Sequence, residues 1–249
     1  MEALILCGGF ATRLEPITLF VPKPLLPIGG RPILDRIVDD AAKTKEVKRI
    51  IISTNKKFGD QFEYWMGNKK ASGMPKEMQL LVEPTMHDGN KFGAIKGIEY
   101  AIKNAKVDDD LMIIAGDNVY GWSVSTAVDE FVSTGRKATV CVHDVGSLDE
   151  AKKFGVVGTE NGIVSSFEEK PAEPKSTIAS TGIYIYPREL LGKFSEYLAG
   201  ENNPDAPGHF LKWLIGNTEV HAVVQDGTWF DIGTLETYRK VFEQFNGTE

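Results

Sequence analysis

The run Leu6-Cys7-Gly8-Gly9-Phe10-Ala11-Thr12-Arg13-Leu14 carries the clearest chemical signal in the chain. An apolar stretch, Ala3 to Cys7, reads as a buried strand and ends at a glycine pair. Without Cβ atoms, backbone N–H groups there can approach phosphate oxygens. Arg13 adds a forked donor suited to phosphate. Lys23 follows between Pro22 and Pro24, which fix the backbone around its ammonium. Taken singly these features are weak. A Gly-Gly after a strand is often a tight turn, and a loop lysine is usually a solvated charge. Neither GxGxxG nor GxxxxGK[ST] follows the strand, so the dinucleotide and Walker patterns are absent.

Two carboxylates stand out next. Asp117 follows the apolar run Leu111–Ala115 within Gly116-Asp117-Asn118, and Asp231 lies in Trp229-Phe230-Asp231-Ile232-Gly233-Thr234. A hard cation such as Mg²⁺ takes one or two carboxylates plus phosphate oxygens and water. By residue type alone the pair reads equally as metal ligands or as two turn caps. Phe167-Glu168-Glu169-Lys170-Pro171 sets a carboxylate beside a lysine, a pair able to hold a hydroxyl and a phosphate side by side. Its plain alternative is an exposed charged strand end. Trp229 by itself reads as a core residue.

The elements that must position these residues alternate through the first half. Strands are expected at Ala3–Cys7, Arg49–Ser53, Met78–Val82, Leu111–Ala115 and Ala138–Val142. Helices are expected at Pro32–Ala42, Phe58–Met66, Phe92–Asn104 and Trp122–Ser133. Such alternation predicts α/β architecture: a three-layer, Rossmann-like, mixed and mostly parallel sheet with helices on both faces. After about residue 150 the pattern changes. Glu160-Asn161-Gly162 between Val156–Gly158 and Ile163–Phe167 signals a hairpin. Further strands are expected at Ile178–Tyr186, Glu219–Val224 and Trp229–Gly233, and a helix at Leu235–Phe245. This half reads as an added β layer within one domain spanning residues 1–249, with 1–145 and 146–249 as its halves.

Composition narrows the setting. Apolar residues make up 42% and charged residues 25%, enough for a core without staples. A formal charge of -7 fits nucleic acid poorly, because phosphate backbones need a basic surface. Cys7 and Cys141 sit in expected strands, so both read as reduced core residues. No leader pattern opens the chain and no apolar run is long enough for a bilayer. A cytoplasmic protein without nucleic-acid or membrane partners is the expectation.

In combination, GG-x-x-TRL, the following P-x-T, and K-P-x-L-P resemble the N-terminal signature of the sugar-1-phosphate nucleotidyltransferases, or nucleoside-diphosphate-sugar pyrophosphorylases. That family includes glucose-1-phosphate thymidylyl- and uridylyltransferases and mannose-1-phosphate guanylyltransferases. The resemblance covers essentially the whole chain. It implies that Arg13, Lys23 and Lys170 are the catalytic cations, and that Leu6, Gly8, Gly9, Thr12 and Arg13 meet the nucleotide. Gly116-Asp117-Asn118 and the W-x-D-x-G-T aspartate resemble the family's metal motifs, which implies Mg²⁺ on Asp117 and Asp231. Asn118, Gly155, Glu169, Lys170 and Thr181 fall in segments implied to hold the sugar phosphate. Glu83 and Gly93 fall where the family reads the base, although Gly89 is a rival to Gly93 and the intervening stretch is longer than usual. Several thymidylyl- and uridylyltransferases carry Gln near the position of Glu83. The partners implied are a nucleoside triphosphate and a sugar 1-phosphate, with UTP or dTTP and glucose 1-phosphate favoured; a homo-oligomer is compatible with the resemblance. The family's usual third glycine before the TR pair is Ala11 here, which predicts an altered phosphate loop, because alanine tolerates positive φ poorly.

Three other readings compete. A guanylyltransferase-like choice of base and sugar suits the same motifs. A glycosyltransferase would need a DxD-like cluster; Asp108-Asp109-Asp110 has the letters but is expected in a solvated turn. A non-catalytic sugar-nucleotide-binding subunit should have lost its cations, yet Arg13, Lys23 and Lys170 are present.

Overall fold

The computed structural model describes residues 1–246. In chain order its elements are β1 (Glu2–Cys7), β2 (Pro27–Ile28), β3 (Arg31–Pro32), α1 (Ile33–Lys43), β4 (Arg49–Asn55), α2 (Gly59–Ala71), β5 (Glu77–Glu83), α3 (Ala94–Asn104), β6 (Leu111–Ala115), β7 (Asn118–Tyr120) and α4 (Ser125–Ser133). There follow β8 (Ala138–Asp144), α5 (Leu148–Ala151), β9 (Gly155–Glu160), β10 (Ile163–Glu169), β11 (Ile178–Tyr186), α6 (Gly192–Ala199), α7 (Pro207–Leu214), β12 (Val220–Val224), β13 (Trp229–Asp231) and α8 (Leu235–Asn246).

Nine strands form one mixed sheet in the order β5-β4-β1-β6-β11-β8-β12-β10-β9. β5, β4, β1 and β6 run parallel, as the alternating pattern requires. β11 enters antiparallel between β6 and β8. β12 is parallel to β8, and the β9–β10 hairpin adds antiparallel pairs. β9 also meets β11 through Val156↔Ala179, so β11, β8, β12, β10 and β9 curl back on themselves. The Asn161-Gly162 turn takes positive φ at both residues, 52° and 79°, the geometry that matches hairpin twist.

Period-two alternation divides the core between the two faces of the sheet. Ala3, Ile5 and Cys7 of β1 face one cluster with Ile50 and Ile52 of β4 and Met112 and Ile114 of β6. Helices α1, α2 and α4, with Val241 of α8, cover that side. Leu4, Ile51, Leu111 and Ile113 face the other cluster, covered by α3, α6 and α7. Burying each such side chain contributes roughly 1.5–3 kcal/mol before chain entropy is counted. The strand ends that carry the chemistry are therefore anchored in packed apolar layers. Both cysteines are buried and unpaired. No helix among the described residues is long and apolar enough to cross a membrane.

Six elements were not expected from sequence: the short β2, β3, β7 and α5, and the helices α6 and α7. Helices α6 and α7 have eight residues each, too short for the helical period to show clearly. The aspartate run also needs correction. Asp110 is buried, pairs with Arg136 and accepts the Arg188 N–H at 3.0 Å. Asp109 binds Lys48 at 2.9 Å, and Asp108 binds Arg188 at 2.5 Å. This cluster ties down the start of β6, at the end of the strand opposite Asp117.

Candidate functional site

Gly116 follows β6 and donates its N–H to the Leu6 carbonyl at 3.0 Å. A Cβ there would lie 2.6 Å from the Cys7 sulfur and 2.7 Å from the Leu6 oxygen. Only glycine allows this approach, and it brings Asp117 beside the loop leaving β1. Asp231 arrives on β13, which pairs antiparallel with β7 so that Asp231 stands opposite Asn118. Ile232 N–H closes the junction by donating to the Asp117 carbonyl at 3.3 Å.

Lys23 enters from a short 3-10 turn, Lys23–Leu25, capped by Pro22. Its Nζ donates to Asp117 Oδ2 at 2.5 Å and to the Ile232 carbonyl at 2.9 Å. The proline-flanked lysine is thus held against both aspartate-bearing segments. Burial, and then the Asp117 charge, push the Asp231 carboxyl above the usual carboxylate range, while Lys23, Arg13 and Lys170 act in the opposite sense. Lys23 and the two carboxylates lie at the carboxyl ends of the strands, where open α/β sheets bind ligands.

The loop leaving β1 takes a definite shape. Ala11 is left-handed, φ 49° and ψ 44°, and precedes the 3-10 turn Thr12–Leu14. Its carbonyl accepts the Thr18 hydroxyl at 2.8 Å and the Leu14 N–H at 2.9 Å. These bonds hold the Ala11 carbonyl while its backbone stays in the left-handed region that favours glycine. Thr12, Arg13 and Gly9 are exposed at the loop surface. Gly8 packs on Glu83, whose carboxylate oxygens would sit 3.0 Å from a Cβ at that position. Glu83 is buried, and its Oε1 accepts the Ser53 hydroxyl at 2.8 Å. Burial pushes its carboxyl up, against the opposing effect of Ser53. Gly93 rather than Gly89 caps α3. Its φ is 76°, and a Cβ would meet the Pro204 carbonyl at 2.6 Å.

Beside the aspartates a cavity opens between β9, β10, β11, β13 and the start of α7, with Gly155, Glu169, Lys170, Thr181, Trp229 and Asp231 among its lining. Phe167 is wedged between Gly155 and Gly208, where a Cβ would come within 2.4 and 2.1 Å of its ring. Lys170 is left-handed, φ 47°, and its N–H donates to the Phe154 carbonyl at 3.0 Å. Its ammonium is exposed, with Glu169 Oε1 at 3.9 Å. Thr181 lines the cavity, with its hydroxyl donating to the Cys141 carbonyl at 3.1 Å. One expectation changes here. Trp229, read from sequence as core, is half-buried in the cavity wall, its ring tilted against Phe154 with centroids 4.7 Å apart, and it donates to Asn118 Oδ1 at 2.9 Å. Asn118 in turn donates to Asp117 Oδ1 at 3.2 Å, so its amide links the aromatic wall to the aspartates. Phe154 and Gly208 were missed as wall residues, because neither residue type signals a ligand by itself.

The model of the family described as "Nucleotidyl transferase" matches residues 2–247. The chain belongs to the nucleotidyl transferase family. A bifunctional protein GlmU from Methanococcus aeolicus is 29% identical over 236 residues, covering 94% of this chain and 51% of that protein. The chain thus spans about half the length of this curated relative. A Bacillus anthracis structure assigned as a glucose-1-phosphate thymidylyltransferase, solved with sucrose, superposes with a TM-score of 0.85 at 26% identity, covering 100% of this chain and 96% of that one. A UDP-glucose pyrophosphorylase solved with UDP-glucose gives 0.81 at 20% identity, covering 100% and 99%, and supports the fold alone.

The family's divalent-metal chemistry fits this donor set. Among the described residues no group of three His, Cys, Asp or Glu side chains could hold an ion unaided. Asp117 and Asp231 offer two hard oxygen donors whose mutual repulsion a cation would relieve, and Mg²⁺ ordinarily completes such a pair with phosphate oxygens and water.

Proposed function

We propose that this chain condenses a nucleoside triphosphate with a sugar 1-phosphate, giving a nucleoside-diphosphate sugar and pyrophosphate. The observation that carries the reading is Lys23 clamped on Asp117 and the Ile232 carbonyl, next to an aromatic-walled cavity lined by Asp231, Glu169 and Lys170. Two anionic substrates repel one another, and such a site is built to neutralise them. The sugar phosphate already carries an ionised oxygen, so the reaction needs no strong general base. That oxygen bonds to the α-phosphorus in line, the bond to the α–β bridging oxygen breaks, and pyrophosphate leaves with the electron pair. Lys170 holds the attacking phosphate. Lys23 and Arg13 offset charge on the α-phosphate and the departing pyrophosphate. Gly8, Gly9 and Thr12 cradle the triphosphate, and Leu6 and Gly93 line the base side. Asp117 and Asp231 would hold Mg²⁺, which would add positive charge at the phosphates. Catalysis on this reading is positioning and charge stabilisation. The resemblance favours UTP or dTTP and glucose 1-phosphate.

Glu83 favours a second reading of the base. Its carboxylate is buried under Gly8 with one oxygen already bonded to Ser53. An ionised carboxylate only accepts hydrogen bonds, which suits the neighbouring N–H and NH₂ donors of guanine and opposes pyrimidine carbonyls. A neutral Glu83 carboxyl donates as a glutamine does and suits uracil or thymine. The base preference therefore turns on one proton, and GTP should gain on UTP and dTTP as pH rises.

The test is pyrophosphate release with pooled triphosphates and pooled sugar 1-phosphates, then kcat/KM for GTP, UTP and dTTP in wild type and Glu83→Gln. Release should require both substrates and Mg²⁺. Absence of release from every pair would overturn the reaction. An unchanged ranking of the three bases in Glu83→Gln would remove Glu83 from base selection.

A further inference from the structure

We propose that the exposed face of helix α2 pairs antiparallel with the same face of a second copy of this chain, making a two-fold dimer. This pairing is independent of the reaction proposed above. Phe20 and Tyr64 are the two most exposed large apolar side chains among the described residues, at 75% and 76%. They stand close together, because Gln61, one turn before Tyr64 on α2, donates to the Phe20 carbonyl at 2.8 Å. Beside them lies an apolar groove lined by Leu25, Pro32, Gln61, Tyr64 and Trp65. Apolar surface gathered in this way marks an interaction face on a globular chain. Four such rings, two from each copy, would remove roughly 600 Å² from water, about half of what the smallest standard interface needs, leaving the rest to the turns of α2 around them.

The charges along α2 point to a second copy as the occupant. Asp60, Tyr64, Gly67 and Ala71 recur at helical spacing on the exposed face, and Glu63 and Lys70 flank it on one side, two turns apart. Lys69 is bound to Asp39 at 2.6 Å, whereas Glu63 and Lys70 have no ion pair among the described residues. In an antiparallel helix pair, residues on the same flank meet across the seam. A two-fold axis passing between Met66 and Gly67 sets each Glu63 against the second copy's Lys70, the self-complementarity that an isologous contact requires. The same axis carries the Tyr64 ring over Gly67 and Ala71 of the second copy. A Cβ at Gly67 would meet nothing within 4 Å, so packing within the chain does not call for glycine there, although glycine weakens a helix interior. Close approach of another helix does call for it.

Sedimentation velocity and light scattering of the whole chain over a wide concentration range test this pairing, with a melting curve for every variant. Wild type should pass from monomer to dimer as concentration rises. Tyr64→Glu and Gly67→Gln should each raise the dimer Kd by about 100-fold or more, because a charge or a long side chain then fills the centre of the seam. Both positions are exposed, and glutamine forms helix better than glycine, so Gly67→Gln should melt no lower than wild type at dilutions where both are monomers. Glu63→Lys and Lys70→Glu should each raise the Kd about tenfold, and the doubly reversed chain should return to within about threefold of wild type. Losses that simply add in the double variant would overturn the antiparallel register. A dimer untouched by Tyr64→Glu and Gly67→Gln would place the contact elsewhere and overturn the inference. A wild type that stays monomeric at every concentration would also overturn it, and flotation of that monomer with phosphatidylglycerol vesicles would assign the face to a lipid surface instead.

Discussion

Lys23 and Lys170 lie on the two sides of the aspartate segments, yet the protein holds them in opposite ways. Lys23 is mostly buried, flanked by prolines, and bonded to Asp117 and the Ile232 carbonyl. Lys170 is 57% exposed, sits on a left-handed backbone, and has only Glu169 at 3.9 Å. The same contrast runs through the two regions around them. The proposed nucleotide side is built on parallel strand ends with backbone and side chains already cross-bonded. The proposed sugar side is built on curled antiparallel strands, and its lysine keeps its freedom. A preorganised charge avoids reorganisation in the transition state, whereas an exposed lysine spends entropy and meets salt screening.

The largest effect should come from Lys23. Lys23→Ala is expected to lower kcat by on the order of 100-fold or more while the protein still melts cooperatively, because one preorganised charge has left the phosphates. Lys23→Arg should fail nearly as badly, since a planar fork cannot occupy the Asp117–Ile232 clamp. Activity within about threefold of wild type in Lys23→Ala would erase the contrast. Asp117→Asn and Asp231→Asn should each raise the Mg²⁺ concentration needed for half-maximal rate by tenfold or more, by the scale of lost ligands. Unchanged Mg²⁺ dependence in both would make the pair structural. Lys170→Ala should act mainly on the KM of the sugar phosphate. Lys170→Arg should stay within about tenfold of wild type, and the wild-type KM should rise with salt. Equal damage from Arg at both positions would show that the two lysines are held alike.

Smaller effects test the groundwork of the nucleotide side. Glu83 binds its proton more tightly in the folded protein than in the unfolded chain, because burial raises its pKa. Stability from such a group is full below the unfolded pKa and is lost as pH rises through the folded one. Glu83→Gln, which keeps an acceptor for Ser53, should therefore melt a few degrees higher than wild type near neutrality, with the advantage shrinking toward acid. A pH-independent difference would deny the buried charge. Ala11→Gly should raise Tm by about 2–4 °C, the shift expected from relieving about 1 kcal/mol of left-handed strain in a chain of this size. No change would mean that the Thr18 bond has fully offset the strain.

Much of the frame was legible in sequence because local pattern and tertiary demand agree. The apolar runs at Ala3–Cys7 and Leu111–Ala115 must be buried on both faces, so they become central parallel strands. Asn161-Gly162 could only make the hairpin turn it makes. The loop-borne residues were harder to place. Ala11 broke the glycine pattern, and whether its carbonyl would be held depended on Thr18, seven residues away in sequence. Trp229 left the core for the cavity wall against expectation, because the β13–β7 pairing sets it there.

The sequence by itself determined residue chemistry and local geometry: two glycines after a buried strand, a lysine between prolines, and aspartates after apolar runs. Those follow from covalent structure and periodicity within a few residues. Only the tertiary structure decided that Lys23 meets Asp117 across 94 positions and Ile232 across 209, that Glu83 lies under Gly8, and that Trp229 stands in the cavity wall. The physical reason is range. Strand order, register and burial are set by how the whole sheet packs, and a side chain's available hydrogen bonds are known only once every competitor for them is in place.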